Sequence, residues 1–400
     1  MDASKISILN APDNKFDAWA FALALSARLA FTGIFLAKGL DVVYARDLYY
    51  NLAVSWLGWA PSFAFDATHP PLYTAFLAAI MKVLGSSNPL PILLIQCLIG
   101  AAVSPLTRRL GTGLVSDKAA RISALWVALD PGLIFFTPQL GTETLFITMT
   151  MLFFLGLFKE ITKPLSFKTV VLGLWGGLCV LCRSVLGGYP AFLFLALWRV
   201  RGFAKAFLFC AVLGIGWLAP SILWSVRNYR VYGRVVPFGA QMGYTLYEGF
   251  SLDREEVRRR PFTMGEEIVR LKLVDPIDRG NYFAHKTMEF VKANPGESLK
   301  IVLGKAVLFW RPFPYDPHTW WQRGALGIYF TFLFALALVG VKLHWREVAW
   351  APVWALFAYL TVLHSVFFTS LRYRVPLEPF LCLLAAAGLL EMTRRGSKRA

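Results

Sequence analysis

The stretch FDAWAFALALSARLAFTGIFLAKGL, residues 16–40, decides the fold class of this 400-residue chain. It is longer than the about 20 apolar residues that a helix needs to cross a bilayer. A polar segment of mixed charge precedes it and no small-residue cleavage site accompanies it, so we expect a retained membrane helix and not a cleaved signal peptide. Comparable runs recur along the chain, which is 57% hydrophobic and only 16% charged. Because a spanning backbone must satisfy its own hydrogen bonds, the sequence predicts an all-α, polytopic transmembrane helical bundle.

The basic residues indicate how the bundle is oriented. The net charge of +17 is divided among short clusters between the apolar runs. This pattern predicts contact with membrane lipids and no binding of nucleic acid. By the positive-inside rule, five clusters are expected in the cytoplasm: Arg108, Arg109, Lys118 and Arg121; Lys159, Lys163 and Lys168; Arg199, Arg201 and Lys205; Lys342 and Arg346; Arg394, Arg395, Lys398 and Arg399.

The apolar runs between these clusters predict about ten spans. PPLYTAFLAAIMKVLG, residues 70–85, is too short to cross, and counting it would place the cluster from Arg108 to Arg121 outside. We therefore predict a helix on the outer membrane surface, opened by the proline pair. Residues 298–310 suit the same interpretation, with a true span as the alternative. The later spans are predicted at 122–138, 141–158, 169–182, 185–198, 206 onward, 323–341, 348–366 and 375–391.

Three regions follow from this topology. Residues 1–225 form an N-terminal transmembrane module with a first external loop at 39–89. Residues 226–322 form an external polar segment with a juxtamembrane helix. Residues 323–400 contain the C-terminal transmembrane helices and a basic cytoplasmic tail.

Ionisable residues outside the basic clusters converge on the outer side of this topology. The stretch DLYYNLAVSWLGWAPSFAFDATHPPLY, residues 47–73, supplies acids, a histidine and many aromatic residues to the first external loop. Taken singly, each charge has an ordinary explanation: a solvated loop acid, a first-turn helix acid or an arginine that reaches the headgroups. Together they predict a site where anions meet acids, because ionisable groups at membrane depth are costly. The set comprises Asp41, Asp47, Asp66, His69, Glu143, Arg183, Arg227, Arg230, Arg372 and Arg374.

Several motifs occur in a familiar order. THPPLY, TETLF, an arginine-bearing turn, WSVRNYR and RYRVPLEPF follow one another along residues 68–380. The chain thereby resembles bacterial glycosyltransferases of the GT-C superfamily, in the branch of protein O-mannosyltransferases and aminoarabinose transferases, glycosyltransferase family 39. The resemblance implies an enzyme that moves a sugar from a polyprenyl-phosphate donor to an acceptor hydroxyl at the outer face. It also implies a bacterial inner membrane location with a periplasmic or extracellular active site.

The resemblance also implies roles for individual residues. In this family the first external loop holds the catalytic acid. The resemblance therefore predicts that Asp47 is the general base, with Asp41 as the alternative. Glu143 is expected to assist that base or to orient a sugar hydroxyl. Arginines are expected to stabilise the leaving phosphate. The expected substrate-binding residues are His69, Tyr50, Tyr73, Arg183, Arg227, Arg372 and Arg374. Direct displacement would invert the anomeric centre.

No cofactor is predicted. Cys179 and Cys182 have a CxxC spacing, but no histidine or acid lies close by in the sequence, and all five cysteines fall in apolar runs. They are expected to be core residues. No dense metal-ligand motif occurs, although a divalent cation, which some relatives use, is an alternative that carboxylates would suit.

Two other classes of function compete with a transferase. A lipid or sugar transporter, including a flippase, would also place charges along a substrate path, but the internal repeat typical of many transporters is not evident in the sequence. A membrane scaffold would tolerate loss of each charge. Among transferases, a protein, a lipid or a polysaccharide could serve as the acceptor.

Overall fold

The computed structural model describes residues 13–39, 49–60, 67, 69–250, 267–313 and 320–397, and its regular elements there are helices. The α-helices are α1 Asn14–Ala37, α2 Asn51–Trp56, α3 Leu72–Leu84, α4 Pro89–Ala101, α5 Val103–Gly111, α6 Asp117–Ala128, α7 Pro131–Phe135, α8 Glu143–Glu160, α9 Phe167–Cys182, α10 Tyr189–Arg201, α11 Phe203–Tyr232, α12 Met242–Gly249, α13 Pro276–Ala293, α14 Pro295–Phe309, α15 Trp320–His344, α16 Ala351–Val366 and α17 Glu378–Ser397.

The predicted class, an all-α membrane bundle, is confirmed. Six segments of the described chain are long and apolar enough to cross a membrane. Two further helices, α3 and α9, are apolar but shorter. The count of about ten spans stays a prediction. The six segments are Asn14–Ala37, Pro89–Gly111, Phe203–Tyr232, Trp320–His344, Val348–Val366 and Leu371–Ser397.

One predicted run, residues 122–138, is interrupted in the structure. Helix α6 ends at Ala128, and α7 begins at Pro131. The carboxylate of Asp130 accepts a hydrogen bond of 2.9 Å from the amide of Leu133 and so caps α7. An aspartate followed by proline favours a new helix start, because proline lacks the amide hydrogen that a first helical residue leaves unpaired.

Glycines allow the closest helix contacts in the bundle. Helices α9 and α11 run side by side in the same direction, and a methyl group on Gly216 would lie 2.0 Å from the carbonyl oxygen of Val170. A methyl group on Gly173 would lie equally close to the carbonyl of Leu213. Small residues permit such close approach of backbones in membrane helices. Gly340 and Leu384 make the corresponding contact between α15 and α17.

The two ends of the bundle differ in chemistry. At one end, called here the basic face, Asp17 of α1 pairs with Arg108 and Arg109 of α5, and Asp13 pairs with Arg121 of α6. The other end, called here the site face, is where α8 begins and where α9 and α16 end. These alternating helix directions bring residues from distant parts of the chain to one face.

The segment after α11 covers part of the site face. Helix α11 continues without a break through residue 226 to Tyr232, where Gly233 ends it in a left-handed conformation. Helices α12 and α13 then pack together, and α14 leads back to the bundle. Lys305 of α14 donates hydrogen bonds of 2.8 and 2.9 Å to the carbonyls of Val366 and Phe367. Burial lowers the pKa of Lys305 to about 8. The division of the chain into three regions stays a prediction.

Candidate functional site

Three charged residues from distant parts of the chain meet at the site face. Glu143 is the first residue of α8, and its side chain is 1% exposed. One carboxylate oxygen accepts a hydrogen bond of 2.7 Å from Nη1 of Arg183, which directly follows α9. The same oxygen accepts from Nε of Arg372, in the short 3₁₀ turn Leu371–Tyr373 before α17. The structure thus brings together Glu143, Arg183 and Arg372, called here the Glu143 cluster, which the sequence predicted only as separate members of one site.

The backbone before Glu143 leaves room for the cluster. A methyl group on Gly141 would lie 2.6 Å from the second carboxylate oxygen of Glu143 and 3.5 Å from Nη2 of Arg372. A side chain at this position would therefore displace the carboxylate. This close approach explains why a glycine directly precedes the TETLF motif.

The Glu143 cluster carries more positive than negative groups. Its two guanidinium groups face one carboxylate, which leaves one uncompensated positive charge when all three are ionised. The side chain of Arg372 is 45% exposed, whereas that of Arg183 is mostly buried. An arginine that is partly exposed to solvent and already held by a carboxylate can bind an anion without a large change in its side-chain conformation. The cluster is therefore suited to a singly charged anion such as a phosphodiester.

A stack of rings supports the buried arginine. The guanidinium of Arg183 lies over the ring of Tyr373, 5.1 Å from its centroid. The Tyr373 ring stacks on His364 at a centroid distance of 4.4 Å, and His364 stacks on Phe309 at 5.6 Å. Cation–π contacts of this kind are strongest where water is excluded. The stack limits the orientations open to Arg183.

Aromatic residues of the predicted first external loop lie beside the Glu143 cluster. The ring of Tyr49 packs edge-on against Tyr73 and against His69, with centroids 5.3 and 5.2 Å apart. Burial raises the pKa of Tyr49, and the charges of Arg183 and Glu143 act on the same hydroxyl. Tyr49, which the sequence analysis did not single out, therefore connects the loop to the cluster.

A glutamine side chain inside the bundle holds Tyr73 in place by a hydrogen bond. Its hydroxyl donates a hydrogen bond of 2.6 Å to Gln96 of α4, whose amide group donates to the carbonyls of Thr137 and Gln139 at 2.9 Å. Tyr73 is fully buried in this position. A lone glutamine in the apolar run ILLIQCLIG is the signal that could have identified Gln96, because buried polar groups require partners.

His69 joins the loop to the segment after α11. It forms a hydrogen bond with Gln241, and burial lowers its pKa to about 4. Close by, the amide of Ala240 donates to the carbonyl of Ala67 at 3.3 Å. The imidazole of His69 is therefore neutral at pH 7 and contributes to a contact between two segments of the site face.

The remaining predicted residues have different positions. The Tyr50 hydroxyl donates to the carbonyl of Ser87. Arg227 lies on α11, where its guanidinium contacts Asn228 and the rings of Trp224 and Tyr232. Their roles in substrate binding stay predictions. The catalytic candidates Asp47 and Asp41, and also Asp66, lie outside the described residues.

Arg374 points away from the Glu143 cluster. Its side chain is completely buried and donates to the carbonyl of Arg311 at 2.6 Å, with the rings of Phe330 and Phe334 on its guanidinium. This environment is structural, and its predicted contact with the leaving phosphate stays untested. Two acids that the sequence analysis did not assign, Asp130 and Glu378, also lie buried in this part of the core.

The described residues offer no ready metal site. No group of three or more histidine, cysteine, aspartate or glutamate side chains in the described ranges could hold a metal ion. Glu143 is already paired with two arginines, which neutralise the charge that a cation would need. The absence of a tightly bound metal stays a prediction.

Comparisons with known proteins agree with this architecture. Residues 68–224 match the family model described as dolichyl-phosphate-mannose-protein mannosyltransferase. No curated protein matches the chain. An oligosaccharyltransferase from Archaeoglobus fulgidus, tethered to an acceptor peptide containing an NVT sequon, is similar in structure with a TM-score of 0.57 and 15% identity; the match covers 94% of this chain and 50% of that one.

A second structure is that of the archaeal oligosaccharyltransferase AglB from Archaeoglobus fulgidus, in complex with an inhibitory peptide and a dolichol-phosphate. It has a TM-score of 0.49 and 14% identity, and the match covers 96% of this chain and 52% of that one. The chain therefore spans about half the length of the solved structures it matches.

The helical bundle with a charged cluster at one face defines a polytopic membrane protein. Within that class, residues 68–224 are similar to a mannosyltransferase family model, and the fold is similar to that of an oligosaccharyltransferase.

Proposed function

We propose that the protein transfers a sugar from a polyprenyl-phosphate donor to an acceptor hydroxyl at the site face, with inversion. The observation that supports this most directly is the Glu143 cluster, in which two arginines share one buried carboxylate and Arg372 remains partly open. A glycosyl phosphodiester carries one negative charge, which matches the one uncompensated positive charge of the cluster. The similarity to a mannosyltransferase family model favours a lipid-linked donor.

The chemistry requires a base and a stabiliser of the leaving group. Asp47, or Asp41 as the alternative, takes the proton from the acceptor hydroxyl while its oxygen attacks the anomeric carbon. The bond between that carbon and the phosphate oxygen breaks, and the electron pair stays on the lipid phosphate. Arg372 and Arg183 stabilise the charge that grows there, because they are fixed before the reaction begins. Attack opposite the leaving group inverts the anomeric centre.

Glu143 holds the arginines in this scheme. One of its carboxylate oxygens accepts from both guanidinium groups. Direct contact of Glu143 with a sugar hydroxyl is a second role in this proposal. The neutral imidazole of His69 and the ring of Tyr49 line the loop side of the cluster. We place the reaction at the outer face of a bacterial inner membrane, and a protein, a lipid or a polysaccharide remains the acceptor class.

The test is glycosyl transfer by purified protein in nanodiscs from a panel of radiolabelled polyprenyl-phosphate sugars to envelope extracts. Arg372→Ala should lower the transfer rate by about 100-fold or more, as expected for loss of one preorganised charge contact. Asp47→Asn should abolish transfer if Asp47 is the base, and Asp41→Asn should abolish it if Asp41 is.

Matched controls are Arg395→Ala, an exposed arginine near the end of α17, and Glu297→Gln, a first-turn acid of α14. Full activity in the Asp47, Asp41 and Arg372 variants together would refute this mechanism. Movement of labelled lipid across the bilayer without transfer would instead identify a transporter.

A further inference from the structure

The segment Glu267–Val274, ahead of α13, consists of a helical turn at residues 267–270 and a tight turn after it, and it exposes three aliphatic side chains. Val269 is 77% exposed and Val274 is 82% exposed, and Leu271 lies between them. These three residues are called here the apolar tip. Displaying so many aliphatic groups to water is unfavourable, by about 25 cal/mol for each Å² of apolar surface.

The turn is held by specific contacts and is not a frayed end. Glu267 accepts hydrogen bonds of 2.9 Å from Lys286 and 2.7 Å from the Tyr282 hydroxyl, both on α13. Arg279 donates to the carbonyls of Leu273 and Val274. Lys272 adopts a left-handed backbone conformation with φ of 52°, which is costly for a residue other than glycine. The fold thus maintains a strained turn whose apolar side chains face outward.

An ion pair fixes the turn beside the end of a membrane-spanning helix. Asp278, in the first turn of α13, pairs with Arg234 at 3.3 Å. Arg234 immediately follows Gly233, which ends α11, one of the six candidate spans. The last turns of α11 expose Tyr229 and Val231, and tyrosine is typical of the interface between membrane and water. The apolar tip therefore lies next to the place where α11 leaves the bilayer.

Two basic residues alternate with the aliphatic ones. Arg270 and Lys272 stand between Val269, Leu271 and Val274, and the side chain of Arg270 is 74% exposed. Aliphatic groups flanked by cations are the combination that binds the boundary between headgroups and acyl chains of anionic membranes.

We propose that the apolar tip inserts into the leaflet at the site face, with Arg270 and Lys272 on anionic headgroups. Lipid is the occupant because an ion pair holds the start of α13 at the end of α11 and because cations flank the aliphatic residues. The insertion anchors α13, and α12 moves with it because these two helices touch closely: a methyl group on Gly243 would lie 1.9 Å from the carbonyl of Gly280. The proposal does not depend on the transferase reaction.

Site-directed spin labelling tests the insertion directly. Val269→Cys and Val274→Cys are made in a Cys210→Ser background, because the other four cysteines are buried. The purified full-length protein is labelled with a nitroxide and placed in nanodiscs of phosphatidylethanolamine and phosphatidylglycerol. His285→Cys, at an exposed position on α13, is the matched control.

At both valine positions we expect greater collision with oxygen and less with a water-soluble nickel complex than at the control. Equal nickel accessibility at all three positions would overturn the proposal and leave the tip as a surface for a protein partner. The electrostatic part has its own test: in phosphatidylcholine nanodiscs the labels should become shallower, and unchanged depth would remove the role of Arg270 and Lys272. Since both valines are exposed, folding of the variants is not at risk from lost packing.

Discussion

The carboxylate of Glu143 lies between two arginines that would otherwise repel each other, and it neutralises one of their two charges. We predict that Glu143→Gln lowers the thermal unfolding midpoint in detergent and abolishes transfer, because it leaves two guanidinium groups without a counter-charge. Removing one partner of a buried ion pair costs about 3 kcal/mol or more.

The matched control is Glu160→Gln, at the other end of the same helix, where the acid is also buried but pairs with the exposed Lys163. We expect a smaller loss of stability and unchanged transfer in that variant. Equal stability losses in the two variants would contradict a special role for the cluster.

His69 should make the loop sensitive to acid. Its pKa is about 4 in the fold, against an ordinary value of 6.5, because burial disfavours the charged imidazole. The folded protein thus binds fewer protons than the unfolded chain between these values, so stability is lost as the pH falls from about 6.5 to about 4. The expected loss at pH 5 is on the order of 1 kcal/mol.

Thermal unfolding at pH 7.5 and pH 5 measures this effect. Lowering the pH should destabilise the wild type more than His69→Gln, and His285→Gln, which removes an exposed imidazole, should behave as the wild type does. An identical pH dependence in His69→Gln and the wild type would show that this imidazole does not contribute.

Residue spacing alone could not show that the two arginines of RYRVPLEPF have different partners. Both Arg372 and Arg374 were predicted at the site, yet only Arg372 contacts Glu143, whereas Arg374 enters the core. The intervening chain is a 3₁₀ turn, with about three residues per turn, so residues two apart point in different directions. The acids and arginines could be predicted as site residues because a charged side chain is energetically costly in a membrane. Their partners could not be predicted, because they depend on turn geometry and on contacts between residues up to 229 positions apart.

At the scale of helices, the crossing of α9 and α11 offers a sharp comparison between two glycines. We predict that Gly216→Ala destabilises the protein, because its new methyl group would meet the carbonyl of Val170 at 2.0 Å and force the helices apart. Gly214→Ala, on the same helix, has nothing within 4 Å of the added group. It should be neutral or stabilising by up to about 1 kcal/mol, since alanine is the better helix former.

Thermal unfolding midpoints of the two variants and the wild type, measured in the same detergent, test this prediction. A similar effect of both substitutions would mean that α9 and α11 do not touch at Gly216.

Helix boundaries were the less predictable part of the fold. The all-α class followed from long apolar runs, and the first run is indeed α1. The division of residues 122–138 at Asp130 and Pro131 was missed, because apolar periodicity does not register a cap inside a run. The Asp-Pro pair was the available signal.

For the whole molecule, the distribution of charge predicts which face is cytoplasmic. Arg346 lies between α15 and α16 at the basic face, and Lys292 lies in the last turn of α13. In intact bacterial cells, a membrane-impermeant maleimide should label Lys292→Cys and should label Arg346→Cys only after permeabilisation. The reverse pattern would invert the topology and place the Glu143 cluster in the cytoplasm.

The short helix that delivers Arg183 has a consequence for the surrounding lipid. Helix α9 has 16 residues and so measures about 24 Å, whereas a hydrocarbon layer is about 30 Å thick. As a predicted span, α9 would be shorter than this layer, and such a mismatch favours a bilayer that is locally thinned around the arginine. A thinned leaflet would bring a carrier's phosphate down to Arg183 without lifting its chain out of the membrane. If the proposed transfer takes place there, acyl-chain length in the host bilayer becomes a control on it, and thicker membranes should slow transfer.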